Sequence, residues 1–149
     1  MKIATFNANS IRVRLPILQD WIATHEPDVL AIQETKCEDI KFPASDFEDM
    51  GYHVVYSGQK TYNGVALICR SVPQNVTMGF PDPVAVDDKR IIAATVDGVR
   101  IINTYVPNGT KVGTEKFTYK LEWLDKFEGY LSAELAANPN LVWLGDINI

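Results

Sequence analysis

Three apolar stretches of the chain end in side chains that carry oxygen. "IATFNAN" closes on Asn7 and Asn9, "VLAIQET" on Gln33-Glu34-Thr35, and "LVWLGDIN" on Gly145, Asp146 and Asn148. Short runs of consecutive apolar residues suit strands buried on both faces. Where strands run parallel, their carboxyl ends open on one edge of the sheet, and ligands bind there. Two carboxylates and two amides brought to such an edge form an oxygen-rich cluster. Hard cations such as Mg2+ take oxygen ligands and usually keep several waters. The chemistry available to Asn7, Glu34, Asp146 and Asn148 together is therefore metal-assisted. Taken singly, each has a plainer explanation: Glu34 begins a solvated loop and Asn7 forms a turn.

The elements that must carry these ends follow from periodicity. Ile3 to Asn7 makes a first strand, and Pro16 to His25 a helix with Pro16 in its first turn and Leu15, Leu18, Trp21 and Ile22 on one face. Asp28 to Gln33 is apolar on both faces, as a central strand is. Tyr52 to Ser57, Gly64 to Arg70 and Val76 to Phe80 follow as strands, the first two separated by the polar loop 58–63. "RIIAATVDGVRIINTYV" reads as a hairpin turning on Asp97-Gly98, a type I′ pair. Thr114 caps a second helix reaching about Ala137, with Phe117, Leu121, Leu124, Leu131 and Leu135 along one stripe, and Leu141 to Leu144 is the last strand. The expected fold class is α/β (α+β), a mixed sheet with helices on one face.

Composition sets limits. The 149 residues are 46% hydrophobic and 22% charged, as in a globular protein. No apolar run approaches the roughly 20 residues that span a bilayer, and Met1 to Phe6 enters a strand pattern without a signal-peptide layout. Cys37 and Cys69 lack metal-ligand spacing and read as reduced thiols of a cytoplasmic protein. The net charge of −5 argues against a protein that coats nucleic acid. It leaves a nuclease possible, because carboxylates that hold a cation enter the count.

"FNANSIR", "PDVLAIQETK", "GQKTYNGVALI", "RIIAA", "NTYVPNG" and "WLGDIN" resemble, in order and context, the exonuclease III / AP endonuclease family of the endonuclease/exonuclease/phosphatase superfamily. The resemblance covers residues 1–149. It implies a DNA-repair nuclease that cuts double-stranded DNA at abasic sites and trims 3′ ends, with Mg2+ as cofactor and Mn2+ as substitute. Glu34 resembles the family's metal-binding glutamate, with Asn7 beside it. Asp146 is similar to the carboxylate that activates water, Asn148 to the amide that holds that water or the phosphate, and Tyr105 to the tyrosine whose hydroxyl meets the phosphate. Asn9, Arg12, Lys36 and Tyr62 match positions near DNA. Ser10 and Ile147 depart from the family pattern at positions that supply no ligand. Two other functions fit the same residues less well. One is a lipid phosphodiesterase or deadenylase, against which "QETK" and "YVPNG" argue, and the other is a non-catalytic assembly module.

The resemblance also implies a four-layer αββα sandwich of the DNase I type, which takes roughly 250 residues. The 149 residues then read as its N-terminal half, in one domain, without the second sheet, a further aspartate and a terminal Asp-His pair. His25 and His53 are expected to be structural or surface residues. A sheet left uncovered on one apolar face seeks partners, so self-association through that face, or pairing with a missing C-terminal half, is expected, and the isolated 149 residues should be inactive.

Overall fold

The computed structural model describes residues 1–82, 85 and 88–149. In chain order its elements are β1 (Ile3–Asn7), α1 (Ile11–His25), β2 (Val29–Gln33), a 3-10 turn (Asp39–Lys41), α2 (Ala44–Glu48), β3 (His53–Ser57), β4 (Val65–Cys69), β5 (Gln74–Met78), β6 (Ile91–Val96), β7 (Val99–Tyr105), α3 (Glu115–Ala137) and β8 (Leu141–Asp146).

The strands form two four-stranded sheets, β1-β2-β4-β3 and β5-β6-β7-β8. Each is mixed. β1 runs parallel to β2, and β7 parallel to β8, while the other neighbours are antiparallel. β2 and β4 are buried at every position, which explains their unbroken apolar sequences. Between the sheets lies one apolar core, built from Val29 and Ala31 of β2, Val65 and Leu67 of β4, Ile92 and Ala94 of β6, and Ile101 of β7. The outer face of the first sheet packs on Ile11, Leu18 and Ile22 of α1 and Phe47 of α2. The outer face of the second packs on Trp123 and Phe127 of α3. The layers are therefore α, β, β, α.

The α/β class stands, and the number of sheets corrects the expectation of a single sheet with one open face. The second sheet covers that face from within the same chain, so the ground for self-association through it is removed. The local pattern also misplaced some boundaries. α1 starts at Ile11, five residues before Pro16, and Pro16 lies inside the helix. Ser10 makes no side-chain cap; instead the Ser10 and Ile11 amides donate to the Glu34 and Thr35 carbonyls, so the turn after β2 caps the helix. β5 starts two residues early and is exposed throughout. On α3, Leu121 and Leu135 are exposed, and the buried side chains are Trp123 and Phe127. The type I′ turn is as expected, with positive φ at both Asp97 and Gly98. So is the α3 cap: Thr114 Oγ1 accepts from the Phe117 amide at 3.2 Å.

Cys37 and Cys69 are free and buried. Burial, aided by the Asp97 charge, pushes the Cys69 thiol up to about 12, which keeps it protonated and unreactive. Among the described residues, no helix is long and apolar enough to cross a membrane.

Candidate active site at the carboxyl edge of the sandwich

Asn7 ends β1 and lies opposite Gln33, the last residue of β2. Glu34 follows with φ +53, in the left-handed region that glutamate seldom adopts. On the other sheet, Tyr105 ends β7 opposite Asp146, which ends β8. The two sheets thus bring their carboxyl ends to one edge, where a single amide joins them. Asn7 Nδ2 donates to Glu34 Oε2 at 2.6 Å and to Asp146 Oδ2 at 2.8 Å. Asn7, Glu34 and Asp146 come together from segments up to 139 residues apart in the chain.

The surrounding contacts hold this trio in place. Asn7 Oδ1 accepts from the Asn9 amide at 3.0 Å. Lys36 Nζ donates to Asn9 Oδ1 at 2.6 Å and lies 3.5 Å from Glu34 Oε1. The Asn148 amide donates to Asp146 Oδ1 at 3.2 Å, and Asn148 Nδ2 donates to the Val106 carbonyl at 2.8 Å. Lys120 Nζ donates to the Asn148 carbonyl. Arg12 stands in the first turn of α1, and Tyr62, strongly exposed, sits on the loop between β3 and β4. Both segments are tied by backbone bonds to the turn 34–36, through Ile11 to Thr35 and Lys36 to Asn63. Each of these residues thus stands next to a residue bonded to that turn. His25 stacks on Trp21 at 4.7 Å, and His53 pairs with Cys69 at the far end of the sheet; neither reaches the edge.

Tyr105 is half-buried, and its hydroxyl is raised above the ordinary phenol range. Burial is the main cause, and the Glu34 and Asp146 carboxylates add to it against the opposing Arg90 charge. The hydroxyl therefore stays protonated as a donor through neutral pH. Arg90 stacks its guanidinium 4.9 Å from the centre of the Tyr105 ring, and its Nη1 donates to the Tyr105 carbonyl at 3.1 Å. Sequence reasoning took Arg90 as the start of a strand and of "RIIAA", without a role at the site. It names Gln33 only as one of the polar residues ending "VLAIQET" and gives Asn103 no role, although a buried polar residue in a strand is a visible signal.

The donors suit a hard cation. They are two carboxylates and amide oxygens, and Lys36 is the sole salt-bridge partner of either carboxylate among the described residues. Among those residues, no three or more His, Cys, Asp or Glu side chains converge. A cation at this edge would keep waters in its shell, as Mg2+ usually does.

Two mixed sheets face to face between helices form the DNase I-like architecture. An AP endonuclease from Archaeoglobus fulgidus superposes with a TM-score of 0.91 at 45% identity, over all of this chain and 58% of that one. The chain belongs to the Endonuclease/Exonuclease/phosphatase family, whose model matches residues 4–149. The 3′ phosphatase NExo from Neisseria, in a structure bound to a product DNA hairpin, superposes with a TM-score of 0.97 at 48% identity, again over all of this chain and 58% of that one. An exodeoxyribonuclease III of Haemophilus influenzae is 36% identical, and the chain spans 58% of its length.

Proposed function

We propose that this edge is the phosphate-cleaving centre of a DNA-repair hydrolase of the exonuclease III type, acting at abasic sites and 3′ ends of double-stranded DNA. The observation that carries the reading is the Asn7 amide joining Glu34 and Asp146 across the two sheets. Names of similar proteins support the substrate class: an exodeoxyribonuclease III, an AP endonuclease and a 3′ phosphatase bound to DNA.

Glu34 and the Asn7 oxygen would hold the cation, Mg2+ or Mn2+ in its place. Such a cation would supply Lewis-acid polarisation of the phosphoryl oxygen and charge stabilisation for the leaving alkoxide. Asp146, fixed through both carboxylate oxygens, takes the proton of the attacking water. Tyr105, kept protonated, donates its hydroxyl to a phosphate oxygen, and Asn148 orients the water or that phosphate. Asn9, Arg12, Lys36 and Tyr62 line the approach and meet the DNA backbone, the Lys36 ammonium giving a salt-dependent contact.

The test is a duplex with one abasic site, given to a polypeptide of the relatives' length that carries these 149 residues. Incision next to the abasic site is expected with Mg2+ and none with EDTA. Incision undiminished by EDTA, or hydrolysis confined to phosphoinositides or poly(A), would contradict the proposal. The 149 residues alone are expected to incise slower by a factor on the order of 100 or more, because catalytic groups that act as a unit fail together.

A further inference from the structure

Gln33 and Asn103 are 1% and 0% exposed, in a layer that is otherwise apolar. Gln33 belongs to the first sheet and Asn103 to the second. Gln33 Nε2 donates to Asn103 Oδ1 at 2.7 Å, and Asn103 Nδ2 donates at 2.9 Å to each of the Ile32 and Ala66 carbonyls. Three hydrogen bonds thus cross between the sheets at one point. Gln33 is held within its own sheet as well, by bonds to Thr5 Oγ1 at 3.0 Å and the Ala31 carbonyl at 3.3 Å.

The position of this pair gives it a meaning beyond cohesion. Gln33 immediately precedes Glu34 and lies opposite Asn7. Asn103 is two residues before Tyr105, on the same face of β7, and lies opposite Leu144, two residues before Asp146. Glu34, Tyr105 and Asp146 therefore each lie within two residues of Gln33, Asn103 or its neighbour Leu144, and Asn7 lies opposite Gln33. Apolar packing between sheets is non-directional and tolerates small slides. Hydrogen bonds do not: they weaken steeply once distance and angle depart from their narrow ranges. A slide of about 1 Å would take the Asn7 contacts to Glu34 and Asp146 out of range.

We infer that Gln33 and Asn103 are positioning residues, an amide lock that sets the slide of one sheet on the other and so holds Asn7 and Glu34 against Tyr105 and Asp146. The inference rests on the site proposed above, but it has a readout that needs neither metal nor DNA. In the wild-type protein the two side-chain amide protons of Asn7 each face a carboxylate, so their nuclear magnetic resonance signals should be shifted downfield and protected from exchange.

Asn103→Leu is the main test. It keeps the branching and heavy-atom count of asparagine, removes all three crossing bonds and leaves Gln33 its two partners within the first sheet. The folded variant is expected to melt about 5–10 °C below wild type. Its Asn7 side-chain signals should move to solvent-exposed values, and its dissociation constant for Mn2+ alone should weaken at least tenfold. Ile68→Ala, which hollows the outer core of the first sheet instead, is the control for mere loss of stability. It should lower the melting temperature and leave the Asn7 signals in place. If Asn103→Leu does not fold, Gln33→Met makes the same test, since it removes the direct amide-to-amide bond alone among the crossings.

Asn7 signals unchanged in a folded Asn103→Leu protein would overturn the lock. So would equal displacement by Ile68→Ala, or failure of both lock variants to fold, which would make the pair a folding element. Loss of the phosphodiesterase reading looks different: neither Asp146→Asn nor Glu34→Gln would change cleavage, while the Asn7 signature would still respond to Asn103→Leu.

Discussion

Replacing Asp146 by Asn is expected to lower the rate of phosphodiester cleavage by about 10^2–10^4-fold, with KM changed only a few-fold. The size of the effect follows from what each oxygen of Asp146 does. Oδ1 accepts from the Asn148 amide and Oδ2 from Asn7 Nδ2. Both oxygens are anchored, and each keeps lone pairs that can accept a proton from the attacking water. An asparagine keeps one oxygen. It must surrender one of the two anchors, its nitrogen faces a donor, and it cannot take a proton from water at any ordinary pH. Binding should survive, because Arg12, Lys36 and Tyr62 are untouched and a negative charge near the phosphates is gone. Glu34→Gln is expected to behave differently, raising the Mg2+ concentration needed for half-maximal rate rather than abolishing the rate at saturating metal. The paired measurement is steady-state cleavage of an abasic-site duplex across a Mg2+ series. An Asp146→Asn enzyme that cuts at the wild-type rate would remove the role assigned to this carboxylate.

The second large effect is structural. Gly145 pairs with Thr104 across the β7–β8 ladder and has φ +138. A Cβ added there would lie 2.0 Å from the Thr104 carbonyl oxygen, with the Thr104 carbonyl carbon and amide nitrogen both 2.9 Å away. These are backbone atoms, so no rotamer change relieves the clash; the strands must part. Gly145→Ala is therefore expected to cost roughly 3 kcal/mol or more, through strain and loss of ladder bonds beside Asp146. Gly129 gives the contrast. It lies within α3, and a Cβ there meets nothing within 4 Å. Gly129→Ala should stabilise by up to about 1 kcal/mol through helix propensity. Urea unfolding of both variants checks the pair of signs. A Gly145→Ala protein as stable as wild type would contradict the strand contact.

The glycine also answers why an apolar strand should end in "GDIN". The parallel neighbour comes so close that only glycine fits, and Asp146 is delivered at the next residue. That much of the site was visible in the sequence, because strand ends announce themselves as a change from apolar to polar residues. Asn7, Glu34, Asp146 and Asn148 stand out in this way, and the structure brings them to one edge. The hairpin at Asp97-Gly98 was equally legible, since its turn needs two positive φ values that few residues accept.

What stayed hidden is what depends on which strand pairs with which. β4 and β5 are close in sequence, separated only by Arg70-Ser71-Val72-Pro73, and a meander in one sheet has the same local pattern as a crossing to a second sheet. Partner choice is decided by long-range packing, which no window of ten residues contains. The start of α1 was missed for a related reason. Its cap is the backbone of the Glu34–Thr35 turn, so there was no capping side chain to read at Ser10. Gln33 and Asn103 look like isolated polar intrusions in two strands until the sheets face each other, and then each is the other's partner.

Manganese relaxation in the folded 149-residue chain tests most directly whether the carboxyl edge is a cation site at all. Substoichiometric Mn2+ broadens amide signals steeply with proximity to the ion. The site described here predicts that signals of Asn7, Glu34 and Asp146, with their immediate chain neighbours, vanish first, and that Glu34→Gln abolishes the effect. Uniform broadening, or selective loss at another group such as Glu134 beside Arg100, would contradict a cation held at the carboxyl edge.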